Sequence, residues 1–332
     1  MKTEAMVAGV VEFLSAFFAE MRTAELNYAV LHEWRKLPCK VYSDIDMVID
    51  KPGLARLPQV LRLVESRTGW RVVQKLWYDV PACHYHVAVS PDTKESVALD
   101  FLNDEQGIGE YRIKSTLLLE DCVETRGIRH MSSESELAYK LAKRRVKGVF
   151  KEKDLEFVRA VQDECDSGKL AKQLRSYMPC RVAEKAEVLL GSRAGLDEWN
   201  AFMKASRSGL RLPGMNWSFH CRPSWWFYMI LRVCSRIHRD TGCVVYLDKD
   251  SVTVTDWDFG FVFRRVLTVS ADALGYALKR KALMKTWLLV VTGNDGCGVE
   301  CERGAVRNVS GSEMIRNVVI EELKARHERH MR

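Results

Sequence analysis

Two aspartates, Asp44 and Asp46, have the spacing of a metal-binding pair. They lie in the segment Ser43-Asp44-Ile45-Asp46-Met47-Val48, whose alternating apolar residues predict a strand. Residues two apart on a strand point to the same face, so the two carboxylates would lie side by side while Ile45 and Met47 face the core. Neighbouring carboxylates repel each other unless a cation lies between them, and Mg²⁺ commonly binds one or two carboxylates together with substrate phosphates. The same pattern also fits an exposed edge strand with two solvated aspartates.

A third aspartate, Asp100, interrupts the otherwise apolar run Val97-Ala98-Leu99-Asp100-Phe101-Leu102. Burying a carboxylate in such a strand would be costly without a partner, and a metal ion shared with Asp44 and Asp46 would supply one. The alternative is that Asp100 faces solvent on a sheet that is buried on one side only.

The elements that must position these aspartates are predicted from hydrophobic periodicity and turn residues. In chain order, the predicted elements are a helix over 4–23, strands over 28–31 and 45–49, a helix over 54–67, and strands over 70–77, 83–89 and 96–102. Gly69 ends the second helix, as glycine commonly does. The first hundred residues therefore predict an α+β unit built on a mixed sheet.

The rest of the chain divides into a helical section and a second mixed part. Ser133-Glu134-Ser135-Glu136 predicts the start of a helix, and helical periodicity continues to about residue 207. A segment with glycine, serine and proline at 206–213 then precedes alternating strands and helices, which predict a C-terminal α/β domain. We thus predict three units, at 1–130, 131–208 and 209–332.

The first 150 residues resemble the nucleotidyltransferase superfamily with the polymerase-beta-type fold. The motif of that superfamily is a helix, a strand and a loop, followed by a Ser-Asp-apolar-Asp strand and a third acidic residue on a later strand. The match is closest to a bacterial subgroup through Tyr28-Ala29-Val30-Leu31-His32, Leu37-Pro38 and Ser43-Asp44-Ile45-Asp46-Met47-Val48. Some members of this subgroup carry a fused domain that resembles thymidylate kinase.

This resemblance implies an enzyme and assigns its residues. Asp44, Asp46 and Asp100 would be catalytic and would hold Mg²⁺ in a two-ion site, with Asp100 also helping to deprotonate the acceptor. Ser43, Lys140 and Lys143 would bind a nucleoside triphosphate such as ATP. The expected reaction transfers a nucleoside monophosphate to a hydroxyl or phosphate group of a small molecule, a sugar, a protein or an RNA.

The basic residues also have a structural explanation. Lys140, Lys143, Arg144 and Lys147 fall on one face of a single helix, and such a face is often only solvated. We expect Lys147 and Lys151 to be solvated in this way.

One departure from the superfamily pattern supports a second hypothesis. Members usually have Gly-Gly or Gly-Ser before the first aspartate, where backbone amides hold the triphosphate, whereas this sequence has His32-Glu33-Trp34. Glu33 and Trp34 would crowd or repel a phosphate. The alternative is therefore a protein with the nucleotidyltransferase fold that has lost catalysis and acts as a binding or regulatory protein.

Composition adds few further constraints. The net charge of +7 is mildly basic, so a nucleic-acid partner is only weakly supported. No stretch has the roughly 18–20 uncharged apolar residues of a membrane span, and the ten scattered cysteines fit reduced thiols in the cytoplasm.

The glycines at 293–298 follow an apolar strand, but Val299 and Glu300 replace the lysine and hydroxyl residue of a P-loop. A glycine turn between strands is the better interpretation.

Overall fold

The protein has an α+β fold with two separate sheets, which confirms the predicted fold class. The computed structural model describes residues 2–39, 41, 44–74, 83–90, 95–103, 115–208, 243–248, 265–270, 287–294, 298–300, 306–308 and 318–325. Among these residues, no helix combines the length and the apolar character that crossing a membrane requires.

The N-terminal elements follow the predicted order. They are α1 (Lys2–Thr23), β1 (Tyr28–Val30), β2 (Ile45–Ile49), α2 (Lys51–Thr68), β3 (Arg71–Gln74), β4 (Cys83–Val89) and β5 (Ser96–Leu102). A short 3₁₀ turn, Trp34–Lys36, lies between the first two strands. The prediction from periodicity is therefore confirmed, with helix starts that differ by two or three residues and strand ends that differ by one. Residues 75–77 of the strand predicted over 70–77 lie outside the described residues.

Two further strands, β6 (Cys122–Thr125) and β7 (Ile128–Met131), complete a seven-stranded mixed sheet, and the helix α3 (Ser115–Glu120) precedes them. The strand order is β3-β4-β5-β2-β1-β7-β6. The β2 strand lies near the centre, where it pairs in parallel with β5 and antiparallel with β1. Hydrogen bonds from two neighbours thus fix the register of the strand that carries Asp46.

The β6–β7 hairpin was not predicted, and its turn explains why. Its two turn residues, Arg126 and Gly127, have φ angles of 51° and 76°. Such a turn favours Asn-Gly or Asp-Gly, and arginine at its first position conceals the usual hairpin signal. Gly127 adopts this backbone conformation without the strain that a Cβ atom would cause.

The two faces of the N-terminal sheet are covered by different helices. Apolar side chains of α1, including Phe13 and Phe17, pack with those of α2 and with Ile45 and Met47 of β2. Because side chains alternate along a strand, Asp46 lies on the opposite face, together with Val48. That face packs against the helical section that follows the sheet.

The helical section confirms the helical character predicted for 132–207. Its helices are α4 (Ser133–Lys147), α5 (Glu152–Gln162), α6 (Ser167–Tyr177), α7 (Cys180–Gly191) and α8 (Leu196–Ser208). Ser132 caps the first of them by accepting a hydrogen bond from the Ser135 backbone N–H. The domain boundaries at 130 and 208 stay a prediction.

The C-terminal part contains a second, mixed sheet, and of the helices predicted there the described residues include the segment at 318–325. Its strands are β8 (Cys243–Asp248), β9 (Arg265–Ser270), β10 (Trp287–Asn294), β11 (Gly298–Glu300) and β12 (Val306–Asn308). Their order is β12-β11-β8-β10-β9, and β10 runs parallel to both β8 and β9. The glycine segment does join two strands, but β10 and β11 lie on opposite sides of β8 and do not pair with each other.

A helical segment at 318–325 contacts the N-terminal unit through two ion pairs. Lys324 lies 3.4 Å from Glu65 of α2, and Arg71 of β3 lies 3.1 Å from Glu321.

The acidic residue that follows β2 has a structural role that can be tested. The Asp50 side chain accepts a hydrogen bond of 2.7 Å from the Gly53 backbone N–H and thereby caps α2. We expect Asp50→Ala to lower the free energy of unfolding by about 1 kcal/mol, the usual cost of losing such a cap. Asp50→Asn keeps the accepting oxygen and should stay within about 0.5 kcal/mol of wild type. Urea unfolding measures both values, and equal losses in the two variants would contradict the capping role.

Candidate metal centre

Three carboxylates come together on the sheet face that is covered by the helical section. Asp46 and Asp100 are register partners on the parallel strands β2 and β5, and Asp44 lies two residues before Asp46. One oxygen from each of the three carboxylates lies within 4.8 Å of the other two. Ile45 and Met47 are buried on the other face, as the alternation predicts. Asp100 therefore does lie next to the two aspartates of the Ser-Asp-Ile-Asp segment.

The carboxylate of Asp46 is neutralised by two side chains that reach it from different elements. Lys143 of α4 donates a hydrogen bond from Nζ to Asp46 Oδ2 at 2.7 Å, and His32 Nε2 lies 2.5 Å from the same oxygen. Burial alone would raise the pKa of Asp46, but the hydrogen bond from His32 and the charge of Lys143 hold it well below its ordinary value. Asp46 is thus ionised at any physiological pH.

At Asp100, the repulsion from the neighbouring carboxylates is not fully offset by a positive charge. Burial, followed by the charges of Asp46 and Asp44, raises the pKa of Asp100 to about 7. Lys143 opposes this shift only in part. Near neutral pH the Asp100 carboxyl is therefore half protonated, because burial and then the negative charges of its two neighbours disfavour its ionised form.

This donor set fits a divalent cation that prefers oxygen ligands. Three carboxylates with mutually close oxygens supply hard ligands, and burial together with the charges of Asp46 and Asp44 raises the pKa of Asp100. Mg²⁺ or Mn²⁺ would relieve the repulsion directly. The alternative of solvated carboxylates on an exposed edge strand does not apply, because β2 and β5 are central strands of the sheet.

His32 also contacts this cluster, a role that was not predicted from the sequence. It lies just after β1, and the Leu31 backbone N–H donates to the Asp46 carbonyl at 2.9 Å, which places His32 beside the Asp46 side chain. Since the ionised carboxylate can only accept, Nε2 carries the proton. The antiparallel register of β1 and β2 would have revealed this neighbour, but that register is not visible in the hydrophobic pattern.

The residues predicted to bind the nucleotide differ in their contacts and in their burial. Lys143 contacts Asp46 directly. Lys140 is buried, with its Nζ 3.7 Å from Asp154 and 4.0 Å from Glu33. Ser43 lies outside the described residues. Lys147 and Lys151 are exposed, as expected.

The loop that precedes the aspartates is held by one buried carboxylate, Glu136 of α4. This side chain is fully buried and accepts hydrogen bonds from the Glu33 backbone N–H at 3.1 Å and from Trp34 Nε1 at 3.1 Å. Arg35 adds a charged hydrogen bond from Nη1 at 2.5 Å. We call Glu33, Trp34, Arg35 and Glu136 the clasp.

The clasp contains Glu33 and Trp34, the two residues that the sequence analysis expected to crowd or repel a phosphate. Trp34 stacks on His130, with ring centroids 3.4 Å apart, and Arg35 lies over the Trp34 ring. The Glu33 backbone N–H already has an acceptor in Glu136, so it is not available to a phosphate while the clasp is closed. Glu33 and Trp34 thus belong to an internal contact between the sheet and α4.

Comparison with known proteins gives only distant similarity. No family model matches the chain, and none of the curated proteins matches it either. Two solved structures from Helicobacter pylori were found at 13% identity each. The first, JHP933, has a TM-score of 0.31 and is matched over 66% of this chain and 94% of its own. The second, a candidate nucleotidyltransferase, has a TM-score of 0.28 over 62% and 92%. Both TM-scores are too low to establish a shared fold.

The charge on Asp100 should make the metal-free protein less stable at high pH. Its pKa of about 7 in the folded state lies above the ordinary value of 3.8, so its contribution to stability is complete below pH 3.8 and is lost as the pH rises through 7. We therefore expect Asp100→Asn, measured with a metal chelator at pH 8, to raise the free energy of unfolding by about 1–3 kcal/mol. The gain should shrink as the pH falls from 7 towards 4. A difference that does not vary with pH would contradict the assigned pKa.

The clasp makes a second prediction, for which the chain offers a matched control. Glu136 and Glu164 both accept from Arg35, but Glu136 is fully buried and Glu164 is half exposed. We expect Glu136→Gln to lower the free energy of unfolding by about 3–5 kcal/mol, because it leaves Arg35 without its buried counter-charge. Glu164→Gln should cost less than about 1 kcal/mol. Chemical denaturation of the two variants measures both, and a small loss for Glu136→Gln would show that the clasp does not hold the loop.

Proposed function

We propose that this protein is a nucleotidyltransferase that depends on a divalent cation. The observation that carries the proposal is the cluster of Asp44, Asp46 and Asp100, whose carboxylate oxygens lie within 4.8 Å of one another on a sheet face. The reaction is the transfer of a nucleoside monophosphate from a nucleoside triphosphate to a hydroxyl or phosphate acceptor. The Ser-Asp-Ile-Asp segment, with a third aspartate on a neighbouring strand, supports the same class of reaction.

Transfer to a hydroxyl acceptor requires a group that takes up the proton of that hydroxyl. The acceptor oxygen forms a bond to the α-phosphorus of the nucleotide, and the bond from that phosphorus to the pyrophosphate oxygen breaks. The proton of an acceptor hydroxyl passes to a base, and Asp100, a carboxylate on the strand beside β2, is the residue that we propose for this role. Asp46, whose pKa is low, remains an ionised ligand throughout.

The cation would be held by the three aspartates, and Mg²⁺ is the first candidate. When bound, it would neutralise negative charge on the phosphate groups and on the leaving pyrophosphate. Lys143, whose side chain reaches Asp46 from α4, would bind a phosphate oxygen. Lys140 is buried between Asp154 and Glu33 and would contribute positive charge at longer range.

One observation favours a second candidate function. The clasp occupies the Glu33 backbone N–H, which leaves the loop without this donor for a triphosphate. A protein with the same centre and a closed loop could bind a metal and a nucleotide without transferring it, and would then act as a binding or regulatory protein. The two candidates differ in whether pyrophosphate is released.

The proposal is tested by Asp46→Asn. We expect wild type to bind a nucleoside triphosphate with Mg²⁺ present and Asp46→Asn to lose this binding by at least tenfold, since one ligand charge and the partner of Lys143 are both removed. Isothermal titration with a panel of the four ribonucleoside triphosphates measures the affinity, and a pyrophosphate-release assay measures transfer.

The matched control is Asp50→Asn, which removes the same charge from a residue outside the cluster and keeps the α2 cap. It should bind nucleotide as wild type does. Equal Mg²⁺-dependent binding by wild type and Asp46→Asn would refute the metal centre. Binding without pyrophosphate release, for every acceptor class tried, would favour the non-catalytic candidate.

A further inference from the structure

The cation already present at the centre is the ammonium group of Lys143. Its Nζ lies 2.7 Å from Asp46 Oδ2, the same oxygen that accepts from His32. Among the described residues, Asp46 is the one carboxylate recorded within ion-pair distance of Lys143. Lys140, which is one turn earlier on the same helix, is instead held by Asp154 and Glu33. The two lysines therefore differ in what they do for the cluster.

A divalent cation and the Lys143 ammonium cannot both stay at Asp46 at low energy. A cation ligated by Asp46 would lie within about 4–5 Å of Nζ, where charges of the same sign repel strongly in a partly buried site. The Lys143 side chain is 23% exposed, and its flexible four-carbon stem can carry Nζ to a new position. The Lys143 side chain therefore has room to move away from Asp46.

We infer that Lys143 is a placeholder cation, which stabilises the metal-free cluster and moves from Asp46 to a phosphate group of the substrate when a divalent cation binds. The inference rests on the proposed metal centre and extends it to the order and coupling of binding. Once a divalent cation is held by the three aspartates, a phosphate oxygen of the substrate would offer the ammonium a new anionic partner. Lys143 thereby couples metal affinity and polyphosphate affinity.

Metal affinity gives the first test. Lys143→Met keeps the length and the apolar stem of the side chain but removes its charge. In a titration with Mn²⁺ alone at pH 8, followed by electron paramagnetic resonance, we expect this variant to bind Mn²⁺ about tenfold more tightly than wild type. Lys147→Met removes the same charge from an exposed residue one turn further along α4 and should bind Mn²⁺ as wild type does, within about twofold. The Lys143→Met variant should also bind inorganic tripolyphosphate more weakly, in the presence of Mn²⁺, than wild type.

Amine labelling of the wild-type protein gives a second test that does not depend on a variant that folds. Acetic anhydride acetylates free lysine amines, and the extent at each residue is measured by mass spectrometry. We expect saturating Mn²⁺ to increase the labelling rate of Lys143 severalfold, because the ammonium has left Asp46, and to leave the rate at Lys147 unchanged.

The outcomes separate this inference from the proposed function. If wild type and Lys143→Met bind Mn²⁺ equally and Lys143 labelling does not respond to Mn²⁺, the placeholder role is refuted while the metal centre stands. If neither protein binds Mn²⁺, both the metal centre and the placeholder role are refuted. Tighter binding by Lys143→Met alone, or Mn²⁺-dependent labelling of Lys143 in wild type, supports the inference.

Discussion

Repulsion among three carboxylates is the constraint around which the N-terminal unit is organised. Parallel pairing of β2 and β5 places Asp46 opposite Asp100, and the strand alternation brings Asp44 to the same face. The repulsion is offset in different ways at Asp46 and at Asp100. Asp46 receives His32 and Lys143, whereas Asp100 takes up a proton near neutral pH. Such an arrangement costs stability when no metal is bound, and that cost is the physical reason to assign it a function.

The helix α4 joins this centre to the loop before it. Glu136, Lys140 and Lys143 are spaced by four and three residues, so they share one face of the helix. Glu136 holds the loop, Lys140 lies between charges from the loop and from α5, and Lys143 reaches Asp46. A single helix thus sets the distance between the clasp and the cluster of aspartates. It also means that the centre draws residues from both sides of the predicted boundary at 130.

Local patterns predicted the parts of this site that depend on one strand or one helix. The shared face of Asp44 and Asp46 follows from a period of two, and the basic face of α4 follows from a period of 3.6. What the sequence could not give was pairing between distant segments. Asp100 was grouped with Asp44 and Asp46 through the resemblance, whereas the approach of His32 and the capture of the loop by Glu136 depend on contacts across 14 and 103 residues of chain. The β6–β7 hairpin was missed because Arg126 occupies a turn position that usually carries asparagine or aspartate.

Anomalous diffraction from crystals grown with Mn²⁺ tests the central claim most directly, because it locates the metal independently of any activity. We expect an anomalous peak among the oxygens of Asp44, Asp46 and Asp100, with the Lys143 ammonium displaced from Asp46. A protein that shows no peak at this position at saturating Mn²⁺, with Lys143 still bonded to Asp46, would contradict it.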